Sequence, residues 1–380
     1  MKISICLFSL AFIFSSCSHK HLTIVKNVDV FDGEQVLKNV DFAFSAAGIE
    51  YISGKKKRRR NATVIDGKGK TILPPLVNAH VHVRNSDNLK ESLKVGIFGM
   101  LDMFSTDARA NSLRAYNDSL AYSRFFSSNV GATPPGGHGT QFGVNIPTIN
   151  DTVSPRQFVM DRVAQNADYI KITQEYSMSR LAAPQLRELI AEAHHQHKLT
   201  IVHVSDLQDA IDVAKQNADG LAHIWYRKGS VSKEQDLKLM REKNIFIIPT
   251  ISVIEKVIKQ AEETGLEENY LSFEALKHEV RKLHEQGICL LAGTDSPNFG
   301  MDYSSQYFKE LLFLKECGLS EIEILKCATV NIYEKFNLQG FARLQTNGEA
   351  SFLLVTGKPF LKIEDIKNEK RIWKNGVEIS

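Results

Sequence analysis

The run Asn78-Ala79-His80-Val81-His82 sets two imidazoles two residues apart in an apolar stretch. Side chains alternate between the faces of a strand, so His80 and His82 point the same way. Two imidazoles on one face at a strand's C-terminal end can share a divalent metal ion. More groups with ligand or proton-transfer chemistry follow, each at the end of a short apolar run. Lys171 lies in Ala167–Ile172, His203 closes Thr200–His203, His223 closes Asp219–His223, and Asp295 stands in Ala292–Ser296.

Residues so far apart can act together only if the fold gathers them. From Asp168 onward the sequence alternates strand and helix. Residues 169–172, 199–204, 220–224, 245–251 and 288–292 read as buried strands, and 76–80, 97–103 and 126–132 supply three more upstream. Between them, Leu186, Leu189, Ile190 and Ala193 keep helical spacing, with Pro184 suited to a first turn. Ser272 reads as an N-cap ahead of Phe273, Leu276, Val280 and Leu283 on one face. Repeated strand–helix units imply a parallel sheet with helices outside. Eight such strands predict an α/β fold, a (β/α)8 TIM-like barrel over residues 73–344. Strand C-termini in such a barrel converge on one mouth, so one group per strand end is one cluster in space.

The two ends of the chain read differently. Residues 22–72 alternate apolar and polar, with Asp32-Gly33 as a turn. Residues 345–380 contain Phe352–Val355 and then Ile372-Trp373-Lys374-Asn375-Gly376-Val377, a strong hairpin signal. Both ends are expected to pair into one small β-sandwich domain beside the barrel.

Composition narrows the partners. A chain of 380 residues, 43% apolar and 24% charged, is long enough for a large core and is not disordered. The net charge of +3 depends on the run Lys55–Arg60; the remainder is slightly acidic. This excludes a nucleic-acid binder built on a broad basic face. The basic run itself reads as a solvated loop that could also meet anionic lipid headgroups. Lys2 followed by the apolar stretch Ile3–Phe14 reads as a signal segment. Of five cysteines, Cys6 falls in that segment, and Cys17, Cys289, Cys317 and Cys327 show no disulfide framework or Cys-x-x-Cys site. His194, His195 and His197 read as a surface cluster on an outer helix.

Phe14-Ser15-Ser16-Cys17 resembles a bacterial lipobox, which makes residues 1–17 a signal peptide and Cys17 the lipidated residue. An ordinary signal peptide is the alternative. Ser18 after Cys17 resembles Gram-negative lipoproteins directed to the outer membrane. The expected location is the bacterial cell envelope, facing the periplasm, with the membrane reached through the lipid anchor.

The approach Val64-Ile65-Asp66-Gly67-Lys68-Gly69-Lys70, Ile72-Leu73-Pro74 into His80-x-His82, followed in order by Lys171, His203, His223 and Asp295, resembles the metal-dependent amidohydrolase superfamily. The resemblance runs from about Leu22 to the C-terminus. It implies two divalent metal ions, with zinc as the default. His80, His82 and Asp295 would hold one, His203 and His223 the other. Lys171 would take up CO2 and bridge them as a carbamate. A hydroxide shared by the two metals would attack the amide carbonyl, and Asp295 would pass its proton to the leaving amine. Gly136-Gly137-His138-Gly139 and His223-Ile224-Trp225-Tyr226 resemble the Xaa-Pro and Xaa-Arg/Lys dipeptidase-like branch, related to imidazolonepropionase. That branch implies substrate contacts from His138 and Tyr226; Arg227 could pair with a carboxylate. The substrate would be a dipeptide or N-acyl amino acid. Pro249-Thr250 is also family-like and reads as structural. Pro75 and Asn78 depart from the family's usual Gly and Asp.

Two other readings stay open. A mononuclear site would hydrolyse a cyclic amide or amidine, with His223 as a base and no use for a carbamate. A non-catalytic envelope binding lipoprotein would have no reason to hold all five His and Asp ligands.

Overall fold

The computed structural model describes residues 21–53, 61–338 and 343–379. The N-terminal segment with Cys17 and the run Lys55–Arg60 lie outside the described residues, as do the lipid-anchor and envelope readings that depend on them. Among the described residues no helix is long and apolar enough to cross a membrane, and Cys289, Cys317 and Cys327 are free.

The chain begins with β1 (Thr23–Phe31), β2 (Val36–Ser45), β3 (Gly48–Ser53), β4 (Thr63–Asp66) and β5 (Lys70–Leu73). Eight further strands follow: β6 (Leu76–Val81), β7 (Ile97–Asp102), β8 (Arg124–Ser127), β9 (Ile170–Gln174), β10 (Thr200–Val204), β11 (Gly220–Ala222), β12 (Phe246–Ile248) and β13 (Cys289–Leu290). The last are β14 (Phe352–Thr356), β15 (Lys370–Lys374) and β16 (Val377–Ile379).

β14 pairs antiparallel with β5, and this joins the two chain ends in one eight-stranded sheet, β16-β15-β14-β5-β1-β2-β3, with β4 beside β1. The expected sandwich is therefore a single sheet folded over on itself. Phe42 of β2 lies 4.8 Å from Phe352 of β14, and Phe44 lies 5.5 Å from Trp373 of β15. In a flat sheet β2 and β14 would stand roughly 14 Å apart, three strand spacings of ~4.8 Å. A bulge in β1 around the left-handed Asn27 breaks the register between Val25 and Val28, which bends the strand. Asn375 and Gly376 both take positive φ in the two-residue turn between β15 and β16, as the Asn-Gly signal predicts.

All eight barrel strands are present and parallel, but they form two ladders, β6-β7-β8 and β9 to β13, not one unbroken ring. Single parallel bridges, Ala132–Ile172 and Val81–Ser296, span the two gaps. Left-handed residues follow several of these strands. Asn129 is left-handed just after β8, and His223, Thr250 and Asp295 are left-handed beyond β11, β12 and β13. Gly293 then has to pass close to β6: a Cβ there would lie 2.5 Å from Ile248 Cγ2 and 2.9 Å from the His80 nitrogen.

The helices bury their apolar stripes against these strands. Pro184 sits in the first turn of helix Ala183–His195, and Leu186, Leu189, Ile190 and Ala193 face the core. Ser272 caps helix Phe273–Glu285 by accepting from the Ala275 N–H. His194 is exposed on the outside and bonds Asp219 at 2.8 Å.

Candidate active site

The strand ends gather their chemistry around one cavity of about 350 Å³, within the range of small-ligand sites. His80, His82, His138, Lys171, His203, His223, Tyr226 and Asp295 all line it. The structure thus brings together every residue expected to hold metal, move protons or touch substrate except Arg227. Arg227 is not among the lining residues; its guanidinium lies over the Tyr176 ring at 4.5 Å.

His80 and His82 share one face of β6, as period 2 requires. Their Nε2 atoms lie 3.0 and 2.8 Å from the same Asp295 Oδ1. The Asn298 side-chain amide donates to the other Asp295 oxygen at 2.9 Å. Burial opposes a charge on Asp295, yet His80 and His82 hold its carboxyl well below the usual carboxylate range. Burial, with the Lys171 charge, holds His80 down to about 3, and burial keeps His223 well below the ordinary histidine value. Burial also works against a proton on His82, but the Asp295 hydrogen bond outweighs it and raises that pKa. At neutral pH His80 and His223 are therefore neutral imidazoles and Asp295 is an anion, the forms that bind metal. One donor atom each from His80, His223 and Asp295 lies within 4.8 Å of the others.

Lys171 is the least conventional member. Its Nζ is buried and has no hydrogen-bond partner. An unpaired buried ammonium is costly, and burial lowers the Lys171 pKa to about 7. A large share of the amine is then neutral and nucleophilic.

His203 and His138 stack at 4.5 Å between ring centres, and His203 lies 4.6 Å from His223. His203 Nε2 is turned to Glu175 Oε2 at 3.0 Å. Burial favours the protonated acid at Glu175, but the His203 and Ser177 hydrogen bonds hold its carboxyl down at about 2. Sequence reasoning missed Glu175, although Lys171, Thr173 and Glu175 share one face at period 2. His138 has a fixed tautomer. Gln141 Oε1 accepts from the Gly139 N–H at 2.7 Å, which points the Gln141 NH2 at His138 Nδ1, 3.2 Å away. That leaves the proton on His138 Nε2, free to donate.

The supporting contacts explain two sequence features. Asn78 donates to Thr294 Oγ1 and accepts from the Thr294 and His80 N–H groups. A neutral amide at this position braces β6 against the Asp295 segment by doing both. Thr250, left-handed at φ 48°, places its hydroxyl 2.6 Å from His223 Nδ1. This orients the ring so that Nε2 faces the cavity. Thr250→Val removes the hydroxyl at constant shape and is expected to weaken metal binding about 10–100-fold, the usual cost of losing such a support. Competition with a chelator reads it; unchanged affinity would show that packing alone sets the His223 ring.

The amidohydrolase family profile matches residues 71–378. The chain belongs to that family, whose members hydrolyse carbon–nitrogen bonds. It is similar to the ochratoxinase of Aspergillus niger, 23% identical over 209 residues, which are 53% of this chain and 42% of that protein. The alignment thus spans less than half the length of that relative. The structure of a Xaa-Pro dipeptidase with methionine bound in its active site superposes with a TM-score of 0.80 at 20% identity, covering 94% of this chain and 99% of the other. A prolidase complexed with N-methylphosphonate-L-proline gives a TM-score of 0.78 at 18% identity, with 94% and 99% covered. At such identities these two structures speak for the fold.

Proposed function

We propose that this chain hydrolyses the amide bond of a dipeptide or N-acyl amino acid at a binuclear metal centre in the mouth of the (β/α)8 barrel. The single observation that carries the reading is the orphaned Lys171 amine in a cavity it shares with His80, His82, His203, His223 and Asp295. These donors suit zinc and similar divalent ions. His80, His82 and Asp295 would hold one ion, and His203 and His223 a second once His203 leaves Glu175. The neutral Lys171 amine would add to CO2, forming one N–C bond and releasing one proton, and so supply an anion where none now stands. Bound metal supplies Lewis-acid polarisation of the carbonyl and activates water.

The chain's own groups do the rest. Asp295 takes the proton from the attacking water and gives it to the leaving amine. His138 Nε2–H donates to the oxygen on which charge develops. Tyr226, whose hydroxyl burial keeps protonated, donates to the carboxylate of the substrate. The dipeptidase and prolidase neighbours support this substrate class.

One observation favours a second reading. Among the described residues only His80, His223 and Asp295 form a ready metal-ligating group, while His203 is engaged by Glu175. A mononuclear centre acting on a cyclic amide or amidine can be built on those three, with His223 then a ligand and not the base of that reading, and leaves Lys171 unmodified.

Release of amine from a panel of dipeptides, N-acyl amino acids and cyclic amides tests both. Cleavage of the linear amides, lost on chelation and restored by zinc, is the expected result. Cleavage confined to cyclic amides would favour the mononuclear site.

A further inference from the structure

The residues above the metal-ligating floor combine apolar side chains with an arginine. On one side Val253, Ile254 and Val257 of helix Ile251–Thr264, with Phe299 beyond β13, form an apolar wall. Phe299 is 52% exposed. Beyond β7, helix Asp107–Arg114 carries Arg109 into the cavity lining.

Arg109 is exposed, and among the described residues no carboxylate lies within ion-pair distance of it. Its position also works against it. It stands in the first turn of its helix, where the backbone dipole disfavours a cation. The nearest acid in sequence, Asp107, is already held by Arg162 at 3.0 Å and Asn129 at 2.9 Å. The nearby carboxylates are engaged as well, Asp295 by His80, His82 and Asn298, Glu175 by His203 and Ser177, and Asp102 by the Val83 N–H and the Ser127 hydroxyl. Among the described residues, Arg109 is thus a rim cation with no carboxylate at ion-pair distance, in a cavity that also carries the apolar wall.

We infer that Arg109 is a specificity-determining residue, and that the substrate carries a bulky apolar or aromatic group for the wall and a carboxylate for Arg109. A guanidinium offers a fork of N–H donors that matches a carboxylate two-to-two. Tyr226, in the same lining, offers that carboxylate a neutral hydrogen-bond donor, and Arg109 supplies the charge; Arg227 is the rival cation, but it lies against Tyr176 outside the lining. The inference rests on the mouth being the substrate site, as in the amide-hydrolase reading.

The test uses a pair of ligands that differ only in charge, N-phenylacetyl-L-alanine and its carboxamide. Binding to the metal-loaded chain is measured by calorimetry, and cleavage of the same pair is followed separately. Wild type is expected to bind the carboxylate at least about tenfold more tightly, a difference of ~1.4 kcal/mol. Arg109→Met should remove that preference while leaving carboxamide binding within about twofold of wild type, and Arg109→Lys should keep part of it. Equal binding of the pair by wild type, or no binding of either, overturns the inference. So does a preference that survives Arg109→Met but is lost in Arg227→Met. Charge preference without cleavage would leave Arg109's role standing and remove the hydrolase reading. Cleavage without charge preference would do the reverse.

Discussion

Asp295→Asn is expected to lower kcat by about 10²–10⁴-fold, the range for losing a positioned proton-transfer group, with KM changed much less. Asparagine keeps the size of the side chain and one accepting oxygen for the His80 and His82 ring nitrogens, which lie 3.0 and 2.8 Å away. It cannot take a proton from water or return one to a leaving amine. The environment sharpens the contrast. His80 and His82 keep the Asp295 carboxyl well below its usual range against the cost of burial, so the wild-type group is an anion ready to accept. Elemental analysis of the variant separates the proton role from ligation. Loss of kcat with metal retained assigns the proton to Asp295, and full kcat in Asp295→Asn removes it from the mechanism.

Lys171→Ala is expected to abolish turnover and to cost at least one metal ion per chain. The wild-type amine has no hydrogen-bond partner and no water-facing surface, and burial leaves its pKa near about 7. Such a group is poorly placed as a structural ammonium and well placed as a nucleophile toward CO2. Protein grown with labelled bicarbonate should show one carbamate carbon resonance that Lys171→Ala lacks. Addition of a short carboxylic acid to the variant should restore part of the activity by supplying the missing anion. A variant that keeps its metal and its rate would move the account to the mononuclear reading.

What the sequence revealed follows from which signals are local. The period of 2 in a buried strand sets His80 and His82 on one face, and the ends of short apolar runs locate Lys171, His203, His223 and Asp295. These needed no knowledge of loops. The strand boundaries were harder. Residues 220–224 read as a strand, but β11 ends at Ala222 because His223 turns left-handed at φ 75°. Asp295 does the same at φ 63° beyond the two-residue β13. His223 and Asp295 are also residues that line the mouth, and such backbone is common where strain serves a site. The unbroken ring expected from eight apolar runs is instead two ladders joined by single bridges, from β8 to β9 and from β13 to β6. Glu175 lay within reach of the same period-2 argument, as it continues the face of Lys171 and Thr173. Arg109 did not, since nothing in its helix spacing says that it overhangs the mouth. Arg227 shows the opposite error. Adjacency to Tyr226 suggested a substrate contact, while the Tyr176 ring holds the guanidinium aside.

The most direct test of the central claim is the metal content per chain, by elemental analysis, of protein beginning after Cys17 and produced with zinc and bicarbonate. The binuclear hydrolase predicts about two divalent ions per chain. Absence of bound metal under every loading condition would contradict it.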